Sequence, residues 1–218
     1  LFVAETFVDH LTVTAPTLAA GAAFVNQVLG VAPQPGGEHP RMGTHNLLVR
    51  LGESLFLEVI APNPNAAAPY RPRWFGLDCM RADALPSLST WVVRTGDIHA
   101  SVTACSEALG EIEPMSRGAI NWLITIPADG SVPVDGVAPA LIEWHTPVHP
   151  AAGLPDKGLS FVGLEIAHPE PQRLSRLLLS LDLQGPVTVR SPAGGALPHL
   201  VAHIRTPRGL QTLPFAAT

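Results

Sequence analysis

The chain is 218 residues long with a formal net charge of -5, and only 14% of its residues are charged, against roughly 25% in ordinary soluble proteins. With no basic stripe to neutralise phosphates, nucleic acid is excluded as a partner. The apolar runs are broken by proline, glycine or charge before reaching the ~18 residues of a membrane span. The hydrophobic fraction of 46% is enough for a sizeable core and, with the low charge, suggests a homodimer interface. Cys79 and Cys105 form neither a disulfide framework nor a metal-ligand spacing, which points to a cytoplasmic protein.

In chain order, the first predicted element is an alternating, β-branched strand over Phe7–Thr14. Thr17 is placed to cap a helix whose inner face carries Leu18, Ala22, Val25 and Leu29, with Gly30 as its stop. A weak strand around Val31–Gln34 follows, then strands at Thr44–Leu51 and Leu55–Ile60; Gly36 and Gly37 read as a turn. After a Pro, Ala and Asn-rich connector (Pro62–Pro72), the same order returns. Ser89–Arg94 is a strand, and Asp97 caps a helix with Ile98, Val102, Cys105 and Leu109 inward and Gly110 as its stop. Strands at Ile112–Ser116, Asn121–Ile126 and Ala140–Trp144 complete the second copy. A loop at Pro147–Lys157 leads to a shorter third copy. Its strand Leu159–Ala167 precedes a helix over Pro169–Leu181, and strands follow at Val187–Arg190, His199–Arg205 and Leu210–Leu213.

The fold expected is therefore α+β: paired βαβββ units over residues 5–62 and 88–146 forming a curved mixed sheet around a cleft, with a partial third unit over 158–214, all in one domain spanning 1–218. Each full unit ends in a strand carrying a glutamate among apolar neighbours, Glu58 and Glu143. A carboxylate in such a strand is costly unless something pairs with it. Two at matching places suggest a shared polar site between the halves.

A unit that opens Asp9-His10-Leu11, closes its helix on Leu29-Gly30 and ends on Leu57-Glu58 resembles the vicinal oxygen chelate superfamily, which includes the glyoxalases, bleomycin-resistance proteins and extradiol dioxygenases. Within it, Pro35-Gly36-Gly37-Glu38-His39-Pro40, Gly43-Thr44-His45-Asn46, Arg73-Trp74-Phe75-Gly76-Leu77-Asp78 and Ile142-Glu143-Trp144 are similar to the glyoxalase-like domain proteins. The resemblance covers nearly the whole chain. It implies metal ligands on the first and fourth strands of each unit, here His10, Glu58 and Glu143, holding one divalent ion (Zn, Ni, Mn or Fe). The fourth ligand place falls at Thr90 or Trp91, neither a usual ligand, so the metal-enzyme pattern is broken there.

By alternation, His10 shares a strand face with Val8, Thr12 and Thr14, and Glu58 shares one with Phe56 and Ile60. His10 reads equally as a ligand or base and as a half-buried structural histidine. His145 lies two residues from Glu143, so His10, Glu58, Glu143 and His145 form one candidate cluster, against the plainer reading that His145 caps an edge. His45 and Asn46 face opposite ways on one strand, so one of them faces the cleft. Arg117, and Arg50 on Asn46's face, are candidates to bind a substrate carboxylate. Trp91, Trp122 and Trp144 are candidate pocket walls, with core packing as the alternative.

Two functions follow. One is a glyoxalase-like enzyme, a metal-dependent lyase, isomerase or dioxygenase acting on a small oxygen-rich substrate, with Glu143 or Glu58 moving the proton. The other is a metal-free small-molecule binding protein of the bleomycin-resistance kind. A metal-independent acid–base enzyme using the two glutamates is a variant of the first.

Overall fold

The computed structural model describes residues 5–213, so position 214 and the chain ends of the expected boundaries lie outside the described residues. The first unit is β1 (Thr6–Thr14), α1 (Leu18–Leu29), β2 (Gln34–His39), β3 (Thr44–Gly52) and β4 (Leu55–Pro62). The second is β5 (Ser87–Arg94), α2 (Ile98–Ala104), β6 (Glu111–Arg117), β7 (Ile120–Ile126), a one-turn α3 (Pro133–Gly136) and β8 (Ala140–Trp144). Together they form one curved mixed sheet, ordered β2-β3-β4-β1-β5-β8-β7-β6. Its centre is the antiparallel pairing of β1 with β5, the first strands of the two units. Its edges, β2 and β6, curl round until they touch.

The third unit comprises β9 (Ser160–Ala167), α4 (Pro171–Ser180), β10 (Leu183–Gln184), β11 (Val187–Arg190), β12 (His199–Thr206) and β13 (Gly209–Leu213). It builds a separate sheet, β11-β9-β12-β13, while β10 adds to β1 of the main sheet. This unit and the helices cover the convex face. There Leu11, Val13, Leu57, Val59, Trp91, Val93 and Leu141 meet Val25 and Leu29 of α1 and Leu164, Ile166 and Ile204 of the third unit in one core. With that face closed, the concave face is where polar side chains can collect.

Three elements depart from expectation. Helix α1 runs from its Thr17 cap to a left-handed Gly30, but α2 stops at Ala104 and Leu109 reaches the core from the irregular segment before β6. Ser180 Oγ of α4 accepts the Ser106 N–H at 3.0 Å, giving that donor a partner outside the helix. Gly36 and Gly37 are not a turn; they lie inside β2, where the register with β3 shifts between Pro35 and Gly37. The third difference is in β1. Its register with β5 shifts between Val8 and His10, so Asp9 is an extra, bulged residue. The bulge reverses the alternation. Val8 joins Leu11 and Val13 in the convex core, while His10 and Thr12 face the concave side.

Candidate functional site

The concave face holds a hollow of about 420 Å³, counting its open mouth. Its polar groups are His10 of β1, His39 at the end of β2, Asn46 of β3, Glu58 of β4 and Arg117 of β6. Its apolar walls include Phe56, Trp74, Phe75, Trp122 and Trp144. For Asn46 and Glu58 the direction is set by alternation, since Leu47, Leu57 and Val59 beside them pack in the convex core.

Glu58 sits at the centre and is 5% exposed. Its Oε1 accepts the Asn46 Nδ2–H at 2.6 Å and its Oε2 accepts the Thr12 hydroxyl at 3.3 Å. Asn46 Oδ1 in turn accepts from Arg117 Nη1 at 3.3 Å, the one hydrogen bond of that guanidinium among the described residues. The Asn46 amide thus links the carboxylate of the first unit to the guanidinium of the second. Burial lowers the Arg117 pKa, and the charge of Glu58 opposes the shift.

Two glycines make this link possible. A Cβ on Gly36 would lie 2.2 Å from Asn46 Oδ1, and one on Gly37 would lie 2.5 Å from Arg117 Cδ. The Gly-Gly pair read as a turn is instead the space that Asn46 and Arg117 occupy.

His10 Nε2 stands 3.8 Å from Glu58 Oε2. Its ring stacks on Phe56 at 4.5 Å between centroids, and its Nδ1 lies 2.6 Å from Asp9 Oδ1. With the Nδ1–H committed to Asp9, the nitrogen able to exchange a proton within the hollow is Nε2. Asp9 is fully buried, and its other oxygen accepts from Trp144 Nε1 at 2.9 Å and from His149 Nε2 at 2.8 Å. His149 Nδ1 accepts the Ala151 N–H, which fixes its proton on Nε2. Burial raises the Asp9 pKa, but the hydrogen bonds and charges of His10 and His149 outweigh it and hold the carboxyl well below the usual range. Sequence reasoning missed Asp9 because a regular strand would turn it away from His10. It missed His149 because nothing local to a Pro-rich loop marks a partner 140 positions earlier.

His39 is buried against Trp74 and Trp122, and its Nδ1 meets Thr44 Oγ1 at 3.1 Å. Burial pushes its pKa down to about 4, with Glu58 opposing and Arg117 adding to the shift. It is therefore a neutral wall residue near neutral pH.

Trp74 and Phe75 come from the segment joining the two units. Arg73 and Asp78 clamp it, with Arg73 N–H and Nη1 donating to the Asp78 carboxylate at 2.7 and 2.6 Å. Arg73 Nε also donates to the Gly43 carbonyl at 3.2 Å, which docks the Trp-Phe-Gly-Leu-Asp segment on the Gly-Thr-His-Asn segment. Phe75 has φ = +60°, a conformation bulky residues rarely adopt and one that costs on the order of 1–3 kcal/mol.

His10, Glu58, Asn46, Arg117 and Trp122 thus meet at one hollow. Five candidate residues, Glu143, His145, Trp91, His45 and Arg50, do not. Glu143 lies on the other face of β8 from Ile142 and Trp144, which line the hollow. Its Oε2 accepts the Ile98 N–H at 2.7 Å at the start of α2, and its Oε1 pairs with His145 Nε2 at 2.7 Å. The expected cluster of His10, Glu58, Glu143 and His145 is therefore two separate pairs. Trp91 is fully buried in the convex core, its Nε1–H donating to the Val137 carbonyl at 2.9 Å. His45 is on the opposite face of β3 from Asn46. Arg50 donates to the carbonyls of Gly52 and Leu154, tying down the loop before the third unit.

The arrangement does not fit the expected metal site. Among the described residues no three His, Cys, Asp or Glu side chains are placed so as to hold a metal ion. From β8 the hollow is lined by Ile142 and Trp144, and on β5 Val92 packs in the apolar cluster of the same side; none is a usual ligand, and the Arg117 charge stands one amide from Glu58.

A sequence profile for the glyoxalase-like domain matches residues 8–181. The chain belongs to that family. Its paired βαβββ units are the architecture that the sequence resemblance implied. No curated protein matches the chain at a significant level. Among solved structures, a hypothetical protein from Staphylococcus aureus superposes with a TM-score of 0.56 at 15% identity, over 93% of this chain and 82% of that one. A methylmalonyl-CoA epimerase solved with methylmalonyl-CoA aligns at 12% identity and a TM-score of 0.44, over 65% of this chain and 96% of that one. The Streptomyces coelicolor methylmalonyl-CoA epimerase gives 14% and 0.43, over 65% and 96%. At these identities the likeness concerns fold, and the epimerase superpositions are too loose to carry an argument about chemistry. No helix among the described residues is long and apolar enough to cross a membrane.

Proposed function

We propose that this glyoxalase-like protein is an enzyme that moves a proton at a carbon beside a carbonyl, in a small molecule whose carboxylate is held by Arg117. The observation that carries this reading is Glu58 within 3.8 Å of His10 Nε2, on an otherwise apolar floor, with Arg117 linked to it through Asn46. Glu58 takes the proton from carbon and passes it to the bare Nε2 of His10, steadied by Asp9 and Phe56, which returns it to the substrate. The guanidinium stabilises the enolate-like charge that develops between these events. No step is assigned to a metal, because the donor set does not fit one. The free thiols Cys79 and Cys105 favour a reducing, cytoplasmic setting.

Sequestration without turnover is the second reading, favoured by the ring-lined walls. Pyruvate in deuterated buffer separates the two. The enzyme reading expects catalytic loss of the methyl proton signal above the protein-free rate. Quenching of tryptophan fluorescence by pyruvate without exchange would leave only the binder.

A further inference from the structure

His39 ends β2, and the alternation of β3 sets what it faces. Thr44, Asn46 and Leu48 share one face of β3, and Asn46 and Leu48 line the hollow. His39 pairs with Thr44 across the two strands, two places from Asn46. That step is about 7 Å along a strand, so His39 meets the hollow a short way from the Asn46–Glu58 pair.

The protons of this corner can be assigned by accounting for partners. His39 is 6% exposed and Thr44 1%. Nδ1 of His39 lies 3.1 Å from Thr44 Oγ1, and that hydroxyl has no other partner among the described residues. A buried hydroxyl left without an acceptor is costly, so Thr44 donates to Nδ1. The proton of the neutral imidazole is therefore on Nε2. Nε2 in turn meets no acceptor among the described residues, yet it is not sealed in as the indole nitrogen of Trp74 is. Set edge-to-face against Trp74 and Trp122, the ring presents an uncommitted N–H to the hollow. Because burial holds its pKa at about 4, the ring gives a hydrogen bond rather than a proton near neutral pH.

We propose that His39 is a further catalytic residue, whose Nε2–H donates to the carbonyl oxygen of the substrate and holds the negative charge that gathers there. This rests on the proton transfer by Glu58 given above. As Glu58 takes the proton, the C–H electron pair becomes the carbon–carbon double bond and the carbonyl π pair moves onto oxygen. His39 keeps its own proton throughout, and its hydrogen bond strengthens as the charge develops. Arg117 holds the carboxylate, so the two donors divide the oxygens of the substrate between them.

The test uses His39→Phe, which fills the same space without a donor, and His39→Gln, which returns an N–H to it. Deuterium exchange into pyruvate should fall about a hundredfold in His39→Phe, while pyruvate affinity, followed by quenching of tryptophan fluorescence, stays within about threefold of wild type. His39→Gln should regain about tenfold of the lost rate. In the wild type, the nitrogen-15 spectrum of the His39 ring should place its proton on Nε2, and oxalate, which copies the shape and charge of the pyruvate enolate, should shift that signal. This last measurement needs no variant to fold. Undiminished exchange in folded His39→Phe, a fall in affinity as large as the fall in rate, or a proton on Nδ1 overturns the assignment while leaving Glu58 as the base. A wild type that exchanges no deuterium into pyruvate overturns the proton-transfer reading and this inference with it.

Discussion

Asp9 and His10 are consecutive in the chain and hydrogen-bonded through their side chains at 2.6 Å, a pairing that regular strand alternation forbids. The bulge in β1 permits it, and the result is a buried carboxylate behind a histidine that faces a hollow. The same carboxylate holds Trp144 of β8 and His149 of the following loop. One side chain therefore fixes the histidine and ties the second unit to the first.

Removing that charge exposes its role. Asp9→Asn turns two good acceptors into one and sets an amide N–H against the donors that converge there. A loss of about 3 kcal/mol in urea unfolding at neutral pH is expected. Because the folded-state pKa of Asp9 is depressed, its contribution is present above the ordinary value of 3.8 and fades as pH falls below it. The difference between wild type and variant should therefore narrow below about pH 4.

His39 gives a separate acid limb. Its pKa falls from 6.5 to about 4 on folding, so on acidification the unfolded chain takes up the proton first. The stability associated with the neutral ring is intact above 6.5 and is lost as pH drops to about 4, a change of about 3 kcal/mol. Urea midpoints measured across this range should fall steeply for the wild type and much less for His39→Gln.

Gly36→Ala tests the space in β2. The new Cβ would come within 2.2 Å of Asn46 Oδ1 and 2.8 Å of Leu48 Cγ, so Asn46 must leave Glu58 or the strand must shift. Proton exchange on pyruvate should fall by at least about tenfold, the cost of one charged hydrogen bond. Gly37→Ala meets the middle of the Arg117 side chain, which has more freedom to move, and should show the smaller loss.

Much of the architecture was legible because the repeat is written in periodicity. The ladder from Leu18 to Leu29, the Thr17 and Asp97 caps and the strands carrying Glu58 and Glu143 all follow local rules, and each element lies where that pattern puts it. The site was legible only where alternation runs unbroken, as from Asn46 to Leu48 and from Phe56 to Ile60. It failed where one residue changes the phase. The bulge at Asp9 moved Val8 off the face of His10 and brought in a partner for that histidine. In β8, the apolar neighbours of Glu143 suggested an inward carboxylate, but those neighbours face two different cores, and Glu143 follows Leu141 towards α2. Trp91 follows Val93 into the convex core for the same reason. No local signal distinguishes the two faces of a sheet when both are buried.

The central claim is that one glutamate, Glu58, serves the hollow while Glu143 holds the start of α2. The most direct measurement is the rate of solvent deuterium exchange into pyruvate, by proton NMR, for Glu58→Gln and Glu143→Gln beside the wild type. Glu58→Gln should lose at least about a hundredfold in rate while keeping its fold, and Glu143→Gln should exchange at the wild-type rate with a somewhat lower melting temperature. Wild-type exchange in Glu58→Gln, or an equal loss in Glu143→Gln, would contradict the account.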